Sequence, residues 1–584
     1  MPTISLQHSV IERIQRINNF NHQRERWPDF LPDIGCPVEG FNEEEIEIEV
    51  FPDRPDLLGH ETMARAARSF MGAHDTVSDV EVISSGIKID VDKSLEGVRP
   101  VIFAAVVRGV DTGSNDSEKD AFIQSIMDHQ EKLHLTLGRK RSLSSIGVHD
   151  LSKLQPPFRY ETVDDGYSFV PLASENEMSI SEVLTQHPKG IEYAHLMDGM
   201  SRFPIIVDSN DDILSFPPII NGDNTTVNEG TTDFFIDVTG TDARACEACL
   251  LLVCLSLSEL GGKVESVEIS GWNSDVIITP NFDKKSHRVP GKLVERILGI
   301  KLGEAEISES ISKMGGELIE TRTVTEGSER SERWADCVVG EKELIISMPR
   351  WRSDIMHPVD IIEDIAIGFG YGNLPQRLSS VHIDAVPLPS SQINRRIRAS
   401  FRAVGLQETQ SLTLSNKRDQ FGIMRWKERG GNSIISNPIT MDHTMMRQFI
   451  LPSLLRLLSS NRHHELPQRV YELGEVVRDS KNMTSASWAC AEVGGGFASA
   501  KGITQALVRD LGGALDQIEY LPMDAGDGPW IVGRGTRVII DGAEVGQFGE
   551  IDPGVSNEFG LKSPIHAGEF DVERLARAIP DPVL

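Results

Sequence analysis

The sequence predicts a multidomain protein of the α+β class, in which strands and helices are mixed along the chain. Three observations predict this fold class. The chain has 584 residues, which corresponds to about four domains at about 150 residues each. Apolar residues make up 39% and charged residues 25% of the chain, as in ordinary globular proteins. No motif recurs at a fixed period, so a solenoid or a propeller is disfavoured.

Residues 1–77 form the first predicted domain, an N-terminal module. Apolar positions at Val10, Ile11, Ile14 and Ile17 predict an amphipathic helix. Residues 45–50 (EIEIEV) alternate Glu with Ile or Val, which predicts a strand with one buried face. A helix is predicted over residues 60–72.

Residues 78–270 form the second predicted domain, of mixed strands and helices. The segments rich in β-formers are residues 101–110, 203–207 and 234–239. An apolar helix is predicted over residues 243–260, ended by Gly261 and Gly262. Its Cys246-Glu-Ala-Cys249 pair has no second pair or histidine pair nearby, so we interpret it as core packing rather than a zinc site.

Residues 271–378 and 379–584 form the third and fourth predicted domains. In the third, the predicted elements are helices at 289–298 and 304–314, a loop at 321–333, a strand at 344–348 and a helix from Pro358. The fourth is predicted to open with a helix at 393–404, after residues 387–389 (PLP), and to continue as mixed α/β structure.

Polar residues in the second domain predict a pocket. Ser215 precedes the extended pair Pro217-Pro218. Asp237 and Thr239 are two apart on a predicted strand, so they point to the same face. Ser215, Asp237 and Thr239 could therefore line one polar pocket. We expect no histidine with an orienting acid near this pocket, so a Ser-His-Asp hydrolase is not supported. A turn and helix cap at residues 240–242 (GTD) also explains the end of that motif.

Four carboxylates in the third domain predict a cation site. Asp360, Glu363 and Asp364 share one face of a predicted helix near its N-terminus, and Asp354 lies just upstream. Acids at a helix N-terminus complement the helix dipole, but four exceed that need and repel one another unless a cation lies among them. An oxygen-only set favours Mg²⁺.

Charge and hydropathy exclude several classes of protein. Acids outnumber bases by 88 to 58, a formal charge of −30, which argues against a generally basic nucleic-acid coat protein and a DNA partner. Any RNA contact needs local cations such as residues 138–141 (GRKR) or Arg395, Arg396 and Arg398. The longest apolar stretch, residues 248–255, is too short for a bilayer. Few, scattered cysteines indicate a reducing compartment, so we expect a soluble cytoplasmic protein without a membrane partner.

Five segments in order resemble the β subunit of phenylalanyl-tRNA synthetase in its archaeal and eukaryotic-cytosolic form. They are residues 51–58 (FPDRPDLL); residues 147–150 (GVHD) with 215–221 (SFPPIIN) and 236–242 (IDVTGTD); residues 352–371; residues 437–440 (NPIT) with Arg447; and residues 451–455 (LPSLL) with 471–475 (YELGE). The resemblance covers essentially the whole chain.

The resemblance implies an α2β2 class II enzyme that joins L-phenylalanine to tRNA(Phe) using ATP and Mg²⁺ at an active site on the α subunit. It further implies that residues 78–270 are a B3/B4-type editing module, in which Ser215, Asp237, Thr239 and Asn221 are candidates for hydrolysing mischarged Tyr-tRNA(Phe). Residues 271–378 would be a B5 module, whose Asp354, Asp360, Glu363 and Asp364 bind Mg²⁺ in a site shared with α. Residues 379–584 would be a class II synthetase-like antiparallel sheet domain that is catalytically silent.

Two other hypotheses remain open at this point. The chain could be a free-standing trans-editing or RNA-binding protein without synthetase duties, or a structural assembly subunit whose editing pocket is inactive. Copurification with a partner distinguishes a β subunit from the free-standing protein. Deacylation of Tyr-tRNA distinguishes an editing β subunit from a purely structural one.

Overall fold

The computed structural model describes residues 2–74, 77–272, 275–326, 338–376 and 385–579. It divides into two compact units, Met1–Leu378 and Ser379–Leu584. Residues 327–333 of the predicted loop and the predicted boundary after residue 378 lie outside the described residues. Among the described helices, none combines the length and the apolar composition that a bilayer crossing needs.

The first unit opens with a three-stranded antiparallel sheet in the order β1-β3-β2. The elements are β1 Thr3–Gln7, α1 His8–Ile17, α2 Trp27–Phe30, β2 Val38–Phe41, β3 Glu45–Glu49 and α3 His60–Phe70. In β3, Ile46 and Ile48 are fully buried, because successive side chains of a strand point to opposite faces.

The centre of the first unit is a ten-stranded sheet. Its strands and helices, with a small β8–β9 pair, are β4 Val82–Val91, β5 Val101–Arg108, α4 Asp116–Leu135, β6 Ser144–Asp150, β7 Phe158–Val163, β8 Ser168–Phe169, β9 Met178–Ser179, α5 Ile180–Gln186, α6 Pro188–Tyr193, β10 Phe203–Val207, β11 Ile213–Phe216, β12 Ile220–Asn221, β13 Phe234–Gly240, α7 Ala243–Glu259, β14 Lys263–Ser270 and β15 Val276–Thr279.

The strand order of this sheet is β12-β11-β10-β7-β4-β14-β5-β13-β6, with β15 paired to β14. The β4–β14 and β4–β7 pairs are parallel and the others antiparallel. Helix α7 packs between the sheet and helices α3 and α4, which explains why it is apolar all round. Cys246 and Cys249 are buried in it as free thiols.

A three-stranded sheet in the order β16-β18-β17 follows, covered by helices. The elements are β16 Lys285–Pro290, α8 Gly291–Leu298, α9 Glu304–Lys313, β17 Glu317–Thr323, β18 Lys342–Met348 and α10 Pro358–Phe369. The helix predicted from residue 289 begins only at Gly291, because Val289 and Pro290 pair with β18. Residues 321–323 of the predicted loop belong to β17.

The second unit contains a seven-stranded sheet in the order β19-β22-β23-β27-β26-β25-β24 and a small β20–β21 pair. Only the β19–β22 pair of the large sheet is parallel. The elements are α11 Pro389–Ala403, β19 Gln407–Glu408, β20 Leu414–Ser415, β21 Met445–Met446, α12 Leu451–Ser460, β22 Gln468–Arg478, β23 Lys481–Ala491, α13 Phe497–Asp510, β24 Ile518–Pro522, β25 Trp530–Ile540, β26 Ala543–Ile551, α14 Pro553–Glu558, β27 Ile565–Asp571 and α15 Val572–Ala578.

Candidate active site

A cavity of ≈ 640 Å³ lies at the β6–β13 end of the ten-stranded sheet. Its walls are formed by α4, by β6, by residues 215–222 and by the turn around Thr225, with Asp237 of β13 at the back. The volume is in the range of small-molecule sites. Isoleucine and methionine side chains of α4 make one wall apolar, whereas the opposite end is polar.

Three of the four predicted pocket residues line this cavity: Ser215, Asn221 and Asp237. The Ser215 hydroxyl is buried and has no hydrogen-bond partner among the described residues. Asn221 reaches the Val148 carbonyl only at 3.5 Å. An unpartnered buried hydroxyl is unfavourable unless a ligand or water completes it, so this end of the cavity is suited to binding a polar group.

Thr239 does not line the cavity, contrary to the expectation from the sequence. Its side chain is fully buried. Its hydroxyl accepts a hydrogen bond from Arg99 Nε at 3.0 Å and lies 3.1 Å from Ser145 Oγ. Arg99 also donates to the Thr239 carbonyl at 2.7 Å. Thr239 therefore shares the face of Asp237 but is covered by the Arg99 side chain.

A histidine pairs with the pocket acid, so the expectation that no histidine and acid meet here is wrong. His149 Nε2 lies 2.7 Å from Asp237 Oδ2, and His149 Nδ1 lies 2.8 Å from Thr225 Oγ1. All three side chains are buried. They are 88 and 76 residues apart in sequence, and only the antiparallel pairing of β6 with β13 brings His149 and Asp237 together.

The loop before β12 is held by Arg141, a second buried arginine beside Arg99. Arg141 donates to the Pro218 and Ile219 carbonyls at 3.2 and 2.9 Å and to Glu131 at 2.6 Å. A hydrogen bond with His134, and next the charge of Arg141, lower the pKa of Glu131 to about 2. Arg141, at the end of the basic motif 138–141, is thus committed to the cavity wall and not to phosphate.

The predicted magnesium ligands are close together but mostly engaged within the chain. Arg352 donates to Asp354 at 2.7 Å and to Asp364 at 3.0 Å. Asp360 caps α10 by accepting the N–H groups of Met356 and His357 at 2.8 and 2.6 Å. Within the described residues, no three His, Cys, Asp or Glu side chains are arranged to hold a metal ion.

Glu363 is the one predicted ligand that no hydrogen bond or ion pair engages among the described residues. Burial, followed by the charges of Asp364, Asp53, Asp360 and Asp354, raises its pKa. The oxygen donors suit Mg²⁺, but with Arg352 neutralising two of the four carboxylates this chain alone does not fit a complete metal site.

The second unit has a closed sheet face. Glu569 on β27 accepts the N–H groups of Ile450 and Leu451, both at 2.9 Å, and so caps the start of α12. The cavity beside Glu569 measures only ≈ 10 Å³, which is about the space of one water molecule.

Family profiles match three stretches of the chain. A profile described as the phenylalanyl tRNA synthetase beta chain CLM domain matches residues 374–572, a tRNA synthetase B5 domain matches residues 288–371, and a B3/4 domain matches residues 99–248. The cavity lies within the last of these stretches.

Relatives align over nearly the full length. The chain is 37% identical to the phenylalanine–tRNA ligase beta subunit of Archaeoglobus fulgidus, over 98% of both chains. It is 36% identical to that of Methanococcoides burtonii, over 98% of this chain and 100% of the relative. The crystal structure of an N-terminal fragment of the phenylalanyl-tRNA synthetase beta-subunit from Pyrococcus horikoshii superposes with a TM-score of 0.54 at 29% identity, over 64% of this chain and 100% of that one.

Proposed function

This chain belongs to the family of phenylalanine–tRNA ligase β subunits, and from that premise we propose that it supports the charging of tRNA(Phe) and hydrolyses mischarged Tyr-tRNA(Phe). The observation that carries the editing part is the cavity of ≈ 640 Å³ lined by Ser215, Asn221 and Asp237. It lies in the stretch matched by the B3/4 profile.

Charging with ATP takes place on an α subunit in this proposal, within an α2β2 enzyme of the cytoplasm. The closed space around Glu569 on the seven-stranded sheet supports a catalytically silent role for this part of the second unit. A nucleotide does not fit the cavity of ≈ 10 Å³ beside Glu569, and Glu569 is already occupied with the start of α12. The sheet, antiparallel but for one pair, is what a class II synthetase-like domain would have.

Editing has a physical reason. A pocket shaped for phenylalanine is apolar. Such a pocket discriminates only modestly against an analogue that differs by one added hydroxyl. Tyrosine is that analogue. A second site with buried polar groups can bind the hydroxyl and hydrolyse the wrong ester, which supplies the missing fidelity.

The cavity residues support distinct roles. The Asp237 carboxylate can accept a hydrogen bond from the tyrosyl hydroxyl or from the substrate ammonium. The Ser215 hydroxyl, which lacks a protein partner, can orient water toward the ester carbonyl. Asn221 lines the cavity. Thr239 would influence the cavity only by holding the Arg99 side chain in place.

Magnesium is proposed to bind where the B5 carboxylates meet another subunit. Glu363 and Asp360 are the members of the set that Arg352 does not hold. Asp354 and Asp364 would join only if their contacts with Arg352 were given up. The metal, when bound, would bridge subunits, and the α subunit would have to supply the remaining ligands.

The deciding experiment compares two activities of the complex of this chain with its α subunit. Asp237→Ala should slow Tyr-tRNA(Phe) hydrolysis at least about tenfold and leave phenylalanylation unchanged. Thr231→Val, a buried threonine outside the cavity that binds Asp150, is the control. Equal slowing of both activities would contradict the editing site, and a lone chain that binds no α subunit in native mass spectrometry would favour the free-standing alternative.

A further inference from the structure

Three buried side chains at the back of the cavity are joined in a row by hydrogen bonds. Thr225, His149 and Asp237 are joined by contacts of 2.8 and 2.7 Å. Thr225 belongs to the turn after β12, whereas the other two belong to β6 and β13. Thr225 and Asp237 reach the cavity surface, and His149 lies between them with no exposed area.

Two hydrogen arrangements satisfy these three side chains. Thr225 has one hydroxyl hydrogen and two acceptors within reach: the Gly222 carbonyl at 3.1 Å and His149 Nδ1 at 2.8 Å. If the hydroxyl donates to Gly222, an imidazolium donates from Nδ1 to Thr225 and from Nε2 to Asp237; if it donates to Nδ1, a neutral ring carries its hydrogen on Nε2. In both arrangements Nε2–H donates to Asp237 Oδ2.

The opposite tautomer would place two acceptors against each other. With hydrogen on Nδ1, the lone pair of Nε2 would face the carboxylate at 2.7 Å, and a proton would be needed between them. The contacts of His149 with Thr225 and Asp237 therefore leave Asp237 the acceptor of the pair.

The second carboxylate oxygen is directed to the cavity. No hydrogen bond from a described residue reaches Asp237 Oδ1, and Asp237 lines the cavity. A buried carboxylate is stable when a donor satisfies it, and here one donor satisfies one oxygen only. The unsatisfied Ser215 hydroxyl, which lines the same cavity, is a second polar group that a ligand would complete.

We propose that Thr225 and His149 are positioning residues that hold Asp237 as an oriented carboxylate, with Oδ1 presented to an N–H or O–H donor of the aminoacyl group. This inference rests on the proposed editing function. It assigns to Thr225 and His149 an effect on the rate of hydrolysis without direct contact with the ester.

Other charged groups surround the pair and remain unchanged in the test. Arg99 and Tyr160 interact electrostatically with Asp237, and Arg99 covers Thr239 on the same face of the sheet. Around the cavity lie Glu131, Arg141, His187 and Lys189. A loss of hydrolysis that follows from substitutions at residues 149 and 225 but not at residue 231 therefore belongs to the contacts of His149 with Thr225 and Asp237.

The test measures kcat and KM for Tyr-tRNA(Phe) hydrolysis by the complex with α, with phenylalanylation measured in parallel. Thr225→Val should lower kcat/KM for hydrolysis at least about tenfold, because the hydroxyl that holds the His149 ring toward Asp237 is lost. Thr225→Ser, which keeps a hydroxyl, should restore hydrolysis. The control Thr231→Val removes an equally buried hydroxyl without this effect.

Histidine variants give a second readout. His149→Phe should lose most hydrolysis, because no donor then orients the Asp237 carboxylate. His149→Gln, whose amide N–H can donate to Asp237, should keep more activity. Full hydrolysis by Thr225→Val and His149→Phe, a Thr225→Ser variant no more active than Thr225→Val, or a loss matched by lost phenylalanylation would overturn the proposal. Wild-type complex without any hydrolysis would instead refute the proposed editing function.

Discussion

Gly147 on β6 lies directly opposite Asp237 on β13, and a Cβ atom on Gly147 would overlap the Asp237 carboxylate. The same Cβ would come within 2.7 Å of His149 Nε2. A side chain at residue 147 is therefore incompatible with the His149–Asp237 hydrogen bond, which makes this glycine part of the site without any chemistry of its own.

Gly147→Ala should therefore reduce Tyr-tRNA(Phe) hydrolysis at least about tenfold while phenylalanylation persists. The measurement is the deacylation rate of the complex with α. Gly97→Ala is the control, because a Cβ there meets no atom within 4 Å. Full hydrolysis by Gly147→Ala would show that Asp237 does not need its present position.

Local patterns predicted the elements around this site better than the contacts between them. The strand at 234–239 and the helix at 243–260 correspond to β13 and α7 within a residue or so, because strong β-formers and a long apolar helix leave little choice. The α10 start at Pro358 followed from the preference of proline for the first helical turn.

The His149–Asp237 contact could not be derived from spacing. It depends on which strand pairs with β13 and in which register, and a shift of one residue would have moved His149 to the other face. The motif GVHD was visible at residues 147–150, but period-2 alternation alone does not say what lies opposite it. The same limit applies to Arg352, whose role as partner of Asp354 and Asp364 is set by the fold of residues 349–364.

Arg352 pairs with the buried Asp364 and the partly buried Asp354, and its loss should destabilise the first unit. In Arg352→Met, Asp354 and Asp364 lose their cation, and breaking a buried pair by removing one partner costs about 3–5 kcal/mol. Urea unfolding of the purified chain measures this loss. Lys88→Met, which breaks the exposed Lys88–Glu268 pair, should show no measurable change; an equally small change in Arg352→Met would contradict the buried-pair assignment.

Metal analysis of the complex tests the proposed magnesium site. The double variant Asp360→Asn, Glu363→Ala should lower the bound Mg²⁺ and weaken association with α, because these are the two carboxylates that Arg352 does not hold. Elemental analysis and native mass spectrometry measure the two effects. Glu309→Ala, on the exposed face of α9, is the matched control, and unchanged metal content together with unchanged association would remove Mg²⁺ from this surface.

Glu61 gives the first unit a pH-dependent stability that one substitution can isolate. Burial raises its pKa from 4.5 to about 7; Oε1 accepts a hydrogen bond from Ser125 at 3.1 Å, and Oε2 is buried without a partner. Between those pH values the folded chain holds a proton that the unfolded chain has released. The contribution of Glu61 to the free energy of unfolding is therefore complete below about pH 4.5. It is lost as the pH rises to about 7, by about 1.4 kcal/mol per pH unit.

Glu61→Gln resembles the protonated acid at every pH, so its advantage over the wild-type chain should be small near pH 4.5 and grow up to about pH 7. The free energy of unfolding in urea, measured for both chains from pH 4.5 to 8, gives this difference directly. Burial lowers the pKa of the neighbouring His60 and His129 to about 4 and about 3, which destabilises both chains equally in acid and cancels in the comparison. Glu12→Gln, on the exposed face of α1, controls for the loss of a surface charge, and a difference that does not change with pH would show that Glu61 is ionised in the folded protein.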